Sequence, residues 1–287
     1  MLQGARPGGD VGTSTAIDWD DAYSNFAYIP DGFEYPARWL AHAAQFREEM
    51  QEKGLLKADL SYGPHLRNRL DLFMPWGDLK GLAVFVHGGY WMEDFDKSAW
   101  SHLAKGALTH GFAVAVPSYA LCPEVRVSDI TVQVGLAITR AANEVSGPIH
   151  LTGHSAGGHL VARMVTVTSP LTQPVRHRIR KTVPISAIAD MRPLMKTEMN
   201  DTLHLDAVEA RLESPALLEP QEGIDVTAWV GATERPEFLR QNALLANIWS
   251  GFDCLVDAVE EPGKHHANVI EGLTEPDHPL TRKLLCL

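Results

Sequence analysis

The pentapeptide Gly153-His154-Ser155-Ala156-Gly157 is the segment of this chain with the clearest chemical meaning. Residues 148–152 before it are typical of a short strand, and residues 158–165 after it are typical of the start of a helix. Strand, Gly-x-Ser-x-Gly and helix is the pattern that presents a serine hydroxyl at the tip of a sharp turn. The flanking glycines favour that turn because they have no Cβ to clash there. Ser155 is therefore predicted to be a catalytic nucleophile.

Glu234 is the predicted acid partner of this serine. A serine hydroxyl becomes a good nucleophile when an imidazole takes its proton and a carboxylate orients that imidazole. After a serine in such a turn, the acid comes next in the chain and the histidine last. Glu234 follows a predicted strand at 226–230, where the acid is expected. Glu237 remains the alternative, because it lies three residues further on, in the first turn of a predicted helix.

The predicted general base is His266. It stands in a loop directly after the last predicted strand, at 254–259, which is where the base must be. The chain has 13 histidines, so position and not residue type carries this prediction. His265 is the alternative, and we expect it to be an exposed neighbour.

His87-Gly88-Gly89-Tyr90 is predicted to form an oxyanion hole together with Ala156. The tetrahedral intermediate of acyl transfer carries a negative oxygen, which pre-aimed backbone N–H groups stabilise. Ala156 follows the nucleophile and supplies one N–H. Gly89 and Tyr90 are the expected further donors, while Gly88 shapes the turn.

Other chemistries find little support in the sequence. We find neither a His-Glu-x-x-His motif nor a Gly-rich phosphate loop, so we expect no metal and no cofactor. Three aromatic residues near the loops that should form the pocket, Trp91, Tyr119 and Phe238, are predicted to contact a small-molecule substrate.

Strands and helices alternate along the chain, which predicts a mostly parallel sheet with helices on both faces. We expect one domain over residues 1–287, with a disordered tail at 1–13 and a helical excursion or cap at 190–220. The expected strands are 60–62, 69–74, 81–86, 112–117, 148–152, 181–187, 226–230 and 254–259. One expected helix starts at residue 36, and another follows Ser155. The other expected helices span 98–110, 129–145 and 236–250.

The composition is that of a globular protein, with 45% hydrophobic and 21% charged residues. A formal net charge of −11 argues against nucleic acid as a partner. No apolar run approaches the ~20 residues of a membrane span. Three scattered cysteines suit a reducing cytoplasm. A homodimer is compatible with the sequence, which does not fix the oligomeric state.

These motifs together resemble the hormone-sensitive-lipase-like branch of the α/β-hydrolases, and within it the kynurenine formamidase (arylformamidase) group. The resemblance spans residues 62–269. It rests on the motif residues His87-Gly88-Gly89-Tyr90-Trp91, Tyr119-Ala120-Leu121-Cys122-Pro123, Gly153 to Leu160, Pro236 to Gln241 and His266. It implies an α/β-hydrolase fold with an eight-stranded sheet, and hydrolysis of N-formylkynurenine to kynurenine and formate.

The chain departs from that group at two positions. Glu234 stands where the animal enzymes typically have Asp, and Ala267 stands where an aromatic residue typically follows the histidine. The missing aromatic side chain is expected to alter the pocket. Alternatives are therefore a carboxylesterase for short acyl or aryl esters and a deformylase of another N-formyl amide. A binding protein that has kept the fold is a rival from another class, although such proteins usually lose a triad residue.

Overall fold

A single eight-stranded sheet forms the centre of the molecule in a computed structural model that describes residues 17–287. The expected tail at 1–13 lies outside the described residues. The strands are β1 (Leu56–Ser61), β2 (Arg69–Phe73), β3 (Gly81–Val86), β4 (Phe112–Pro117), β5 (Ile149–His154), β6 (Ile179–Ile185), β7 (Asp225–Gly231) and β8 (Leu255–Glu261).

The strand order across the sheet is β1-β2-β4-β3-β5-β6-β7-β8. The first two strands run antiparallel to their neighbours, and β3 to β8 pair in parallel. The predicted α/β-hydrolase fold with a mostly parallel eight-stranded sheet is thus confirmed. Because parallel strands all end at the same edge, the loops after β3, β5, β7 and β8 are brought together there.

Helices cover both faces of the sheet. They are α1 (Trp19–Tyr23), α2 (Tyr35–Glu52), α3 (Lys105–Thr109), α4 (Val127–Glu144), α5 (Ala156–Arg163), α6 (Gln173–Arg176), α7 (Asn200–Leu203), α8 (Ala207–Leu212), α9 (Pro236–Trp249) and α10 (Pro279–Leu285). Short 3₁₀ helices span Phe26–Tyr28, Gly32–Glu34, Lys97–Ala104, Arg192–Lys196, Pro215–Leu217 and Val269–Thr274. No helix within residues 17–287 is long and apolar enough to cross a membrane.

Two hydrophobic clusters lie on opposite faces of the sheet. Val84 belongs to the cluster that contains Ile138 of α4, whereas its neighbour Phe85 belongs to the cluster that contains Trp39 of α2. This alternation follows from strand geometry, in which successive side chains point to opposite faces. All six residues of β3 are buried, as its continuous apolar run predicts.

Most element boundaries shift by one or two residues from the sequence expectation, and three differences concern how an element begins or winds. The outermost strand begins at Leu56 and not at residue 60. Its first residues were missed because their exposed polar side chains show no strand pattern. Residues 97–104 form a 3₁₀ helix ahead of α3, with seven of the eight residues buried, where one continuous α-helix was expected. Helix α4 begins at Val127, and Asp129 accepts the Arg126 N–H at 3.0 Å in a capping box.

Candidate active site

Ser155 lies at the sharp turn between β5 and α5. Its backbone has φ 55° and ψ −118°, a strained combination for a residue with a side chain. Its N–H donates to the Ile185 carbonyl at 2.8 Å, which ties the turn to the end of β6. A Cβ on Gly157 would lie 2.0 Å from the Val86 carbonyl oxygen, so only glycine lets α5 start this close to β3. The turn places the serine side chain, which is buried, on the cavity at the edge where the loops meet.

Glu234 and His266 meet at the same edge of the sheet. Nδ1 of His266 lies 2.7 Å from Oε2 of Glu234, and both side chains are almost fully buried. The other carboxylate oxygen, Oε1, accepts the Ser186 hydroxyl at 2.5 Å and the Gly231 N–H at 2.9 Å. With Nδ1 bound to the carboxylate, His266 keeps Nε2 for another partner.

A close crossing of two loops brings these side chains together. A Cβ on Gly231 would lie 2.4 Å from the Lys264 carbonyl oxygen, so glycine is required where the loop after β7 passes the loop after β8. Thr233 N–H also donates to the Lys264 carbonyl at 2.9 Å. Glu234 follows Gly231 by three residues and His266 follows Lys264 by two, so the crossing brings the two side chains close together.

The two rival residues make other contacts, and His265 is half-buried, not exposed as expected. Glu237 accepts the Tyr23 hydroxyl at 2.9 Å and the Gln241 amide at 2.7 Å, so it anchors α1 to α9. His265 points its Nε2 at the Tyr35 hydroxyl, 3.3 Å away. Of the two carboxylates, Glu234 is therefore the one that contacts His266.

Ser155 and His266 line one small cavity at the carboxyl edge of the sheet. Among residues 17–287, the Ser155 hydroxyl has no hydrogen-bond partner. The contact between nucleophile and base is often longer in a free enzyme than in its substrate complex. The serine and the imidazole thus share the space in which a substrate carbonyl would sit.

The loop after β3 lies directly against the serine turn. A Cβ on Gly88 would be 2.8 Å from the His154 carbonyl oxygen and 3.0 Å from Ser155 Cβ. Gly89 has φ 107° and Tyr90 has φ 46°, so the loop winds through the left-handed region. Within the described residues, the N–H groups of Gly89, Tyr90 and Ala156 donate to no protein acceptor outside regular helices and strands. These N–H groups remain free for a substrate oxygen.

Two buried histidines frame this loop and are neutral at pH 7. Burial lowers the pKa of His87 to about 4, and it lowers the pKa of His154 well below the usual value. His87 Nδ1 lies 2.8 Å from the Gly88 carbonyl, which requires the proton on Nδ1. The His154 ring lies 4.5 Å from that of His266. His87 therefore holds the Gly88 peptide in place, with the Gly88 carbonyl turned toward the His87 ring.

The three aromatic residues predicted to bind substrate are not on the wall of the cavity. Trp91 and Tyr119 are fully buried, with Trp91 packed edge-on against His159 and Tyr119 stacked on His87 at 4.3 Å. Phe238 is also fully buried and lies 4.5 Å from the His266 ring. The structure places them behind the site, where they support histidine rings. Ala267 is likewise buried in the core.

Other aromatic residues form the walls. They are Phe26, Trp39, Phe95 and Trp100. Trp39 comes from α2 and Phe26 from the preceding segment, so no local motif connects them to Ser155. Sequence reasoning missed them for this reason. None of the described wall residues comes from the excursion at 190–220, which is built from short helices.

The segment before α2 is fixed over the site by hydrogen bonds. Tyr90 donates its hydroxyl to the Tyr23 carbonyl at 2.6 Å, and the Asn25 amide donates to the Tyr90 hydroxyl at 3.2 Å. Arg235 is held against Asp21 and stacks over the Tyr28 ring at 3.6 Å. A second cavity of about 220 Å³, which shares Asn25 and His266 with the first, opens under this segment. No group of three or more His, Cys, Asp or Glu suited to a metal occurs within residues 17–287.

Curated proteins with similar sequences include two kynurenine formamidases. The enzyme of Salmo salar is 28% identical over 85% of this chain and 87% of its own length. The enzyme of Drosophila melanogaster is also 28% identical, over 83% of each chain. Both likenesses extend over most of this chain.

Solved structures give the same fold. A Silicibacter sp. TM1040 protein described as a “putative thioesterase” is 50% identical, with a TM-score of 0.89 over 94% of this chain and 99% of that one. Esterase B of Lactobacillus rhamnosis, at 14% identity, has a TM-score of 0.64 over 89% of this chain and 93% of that one, and supports the fold alone. The model of the alpha/beta hydrolase family matches residues 83–279. The chain therefore belongs to the alpha/beta hydrolase family, and it is an enzyme of the serine hydrolase type.

Proposed function

We propose that this enzyme hydrolyses the formamide bond of an N-formyl aryl amine, with N-formylkynurenine as the substrate that its relatives suggest. The observation that carries the proposal is the 2.7 Å contact of His266 with Glu234 at a cavity that also contains Ser155. The aromatic walls of that cavity suit an aryl group. The similarity to two kynurenine formamidases over most of the chain supports the choice of bond.

The first half of the reaction transfers the formyl group to the enzyme. Ser155 Oγ attacks the formyl carbon while His266 Nε2 takes the hydroxyl proton. Glu234 stabilises the imidazolium through Nδ1. The N–H groups of Gly89, Tyr90 and Ala156 bind the oxyanion. The carbon–nitrogen bond then breaks, the amine leaves with the proton from His266, and a formyl ester remains on the serine.

The second half regenerates the enzyme. Water attacks the formyl ester and gives a proton to His266 Nε2. The second tetrahedral intermediate collapses, the ester bond breaks, and Ser155 takes the proton back from His266. Formic acid leaves and releases its proton to solvent to become formate, so that one water is consumed for each amide bond broken.

Carboxylester hydrolysis is the second candidate, because the same groups cleave both bonds. A specific observation favours it: an isoprenylcysteine alpha-carbonyl methylesterase of Arabidopsis thaliana is 33% identical over 37% of this chain. That match is confined to 27% of the esterase. A match of this extent supports the ester bond less than the likeness to the kynurenine formamidases, which extends over most of this chain, supports the formamide bond.

The test compares kcat/KM for three substrates, each with a different bond. They are N-formylkynurenine for the formamide, p-nitrophenyl acetate or butyrate for the ester, and a short aryl thioester for the thioester. The Ser155→Ala variant serves as the blank. We expect the formamide to have the highest kcat/KM and the variant to show none of the three activities. Ester or thioester turnover without formate release from the amide would overturn the proposal.

A further inference from the structure

Glu93 places a carboxyl group beside the oxyanion loop. Its N–H donates to the Gly89 carbonyl at 2.8 Å, so the loop folds back on itself. A Cβ built on Gly89 would lie 3.3 Å from Oε2 of Glu93. The residue also lines the cavity that contains Ser155. The carboxyl group is therefore next to the N–H donors assigned above to the oxyanion.

This carboxyl group has no cationic partner within the described part of the chain. It makes no hydrogen bond or ion pair with residues 17–287, and no described wall residue is Lys or Arg. His266 is the one wall residue whose charge influences it, and burial raises the pKa of Glu93. Keeping an unpaired, partly buried carboxylate ionised costs free energy.

Its position makes the unpaired charge still less favourable during the reaction. A negative charge next to Gly89 repels the oxyanion that the proposed mechanism creates there. A cation that arrives with the substrate would remove this repulsion and would also pair the buried carboxylate.

A second unpaired acceptor lies on the same cavity. Asn25 is 5% exposed, and its Oδ1 has no hydrogen-bond partner among the described residues. Its amide nitrogen donates to the Tyr90 hydroxyl, and that assignment makes the free atom the carbonyl oxygen. Aromatic side chains that line the same cavity, Phe26 and Trp39 among them, add faces that attract a cation.

We propose that Glu93 and the side-chain carbonyl of Asn25 bind an ammonium group on the amine half of the substrate, so that the enzyme selects aryl substrates with a cationic leaving group. A formyl group carries only hydrogen beyond its carbonyl, so the cation has to belong to the amine half. This inference rests on the proposed function for the position of Ser155 as the nucleophile. N-formylkynurenine carries such an ammonium group on its amine half, and the inference adds which residues bind it.

The test uses two matched aryl esters, so that it does not depend on formamide cleavage. Tyramine O-acetate carries an ammonium group on its leaving phenol, and 4-ethylphenyl acetate is its neutral counterpart. We expect the native enzyme to prefer the cationic ester in kcat/KM, and Glu93→Gln to reduce that preference at least about tenfold. Asp94→Asn is the control, since it removes the same charge from a neighbouring side chain that is 92% exposed. It should leave the preference unchanged.

Each remaining outcome bears on one claim alone. If Glu93→Gln keeps the cation preference, or lowers kcat/KM equally for both esters, the inference is overturned even though formamide cleavage is observed. If the native enzyme prefers the cationic ester in a Glu93-dependent way but releases no formate from N-formylkynurenine, the inference stands and the proposed function fails.

Discussion

Nδ1 of His266 lies 2.7 Å from Oε2 of Glu234, and this contact is enclosed by protein. The carboxylate fixes the imidazole tautomer, so that Nε2 is the nitrogen free to accept a proton. Ser155 lines the cavity beside that ring. The arrangement gives each of these groups a separate role that substitution can test.

Glu234→Gln is expected to lower kcat by about 10³-fold or more, because the amide can hold the imidazole in the wrong tautomer and cannot stabilise the imidazolium. Glu237→Gln is the matched control, since Glu237 binds Tyr23 and Gln241 and not His266. We expect its kcat to stay within about threefold while its melting temperature falls. Steady-state kinetics on both variants would check this. Equal losses of kcat would count against Glu234 as the orienting acid.

Ser186 is expected to act as a positioning residue for Glu234. Its hydroxyl donates to Oε1 of that carboxylate at 2.5 Å, and its backbone has φ 49°. Ser186→Ala should lower kcat about tenfold at nearly constant KM, which corresponds to about 1.4 kcal/mol. Ser186→Gly should be as slow but more stable than the alanine variant, because glycine accepts positive φ. Native kcat in both variants would exclude the positioning role.

Gly88→Ala is expected to displace the oxyanion loop, because the added Cβ would lie 2.8 Å from the His154 carbonyl oxygen. We expect kcat to fall by about 10²-fold. Gly251→Ala is the control, since its Cβ would meet only the Ile248 carbonyl, at 3.4 Å. A folded Gly88→Ala enzyme, shown by its circular dichroism, with unchanged kcat would contradict the assignment of this loop.

The buried His159 is expected to make the fold sensitive to acid. Burial lowers its pKa to about 3, whereas an unfolded chain has a histidine pKa of about 6.5. Between these values the unfolded state binds a proton that the folded state excludes, so stability falls as the pH falls. From pH 7 to 4.5 the native protein should lose about 2–3 kcal/mol more of its free energy of unfolding than His159→Gln does. Urea unfolding at both pH values measures this difference.

His177→Gln is the control for that experiment, because His177 is exposed. Its loss of stability between the two pH values should match that of the native protein. If His159→Gln also matched the native protein, the buried imidazole would not be the source of the acid sensitivity.

The fold could be predicted because its signals are local. The buried run of β3 and the sharp turn at Ser155 each depend on residues adjacent in sequence. The contact of Glu234 with His266 could be predicted because each residue follows a strand whose place in the chain order is known. Position after the strand favoured Glu234 over Glu237, whereas the loop crossing at Gly231 that brings Glu234 to His266 is encoded by no local pattern.

The walls of the site could not be predicted, because they depend on contacts between distant segments. Trp39 lies on a face of α2 whose apolar spacing predicts ordinary packing against the core, yet it lines the cavity. Trp91 and Tyr119 follow motif residues closely, and the structure turns both inward to pack on histidines. The hydrogen bond from Ser186 to Glu234 joins residues 48 positions apart and has no sequence signature.

The most direct test of the central claim is to treat the enzyme with a fluorophosphonate, map the modified peptide and measure formate release from N-formylkynurenine in the same samples. We expect the label to attach to Ser155 and deformylation to be lost in proportion to the labelled fraction. Full labelling of Ser155 with deformylation intact, or an active enzyme that takes up no label, would contradict it.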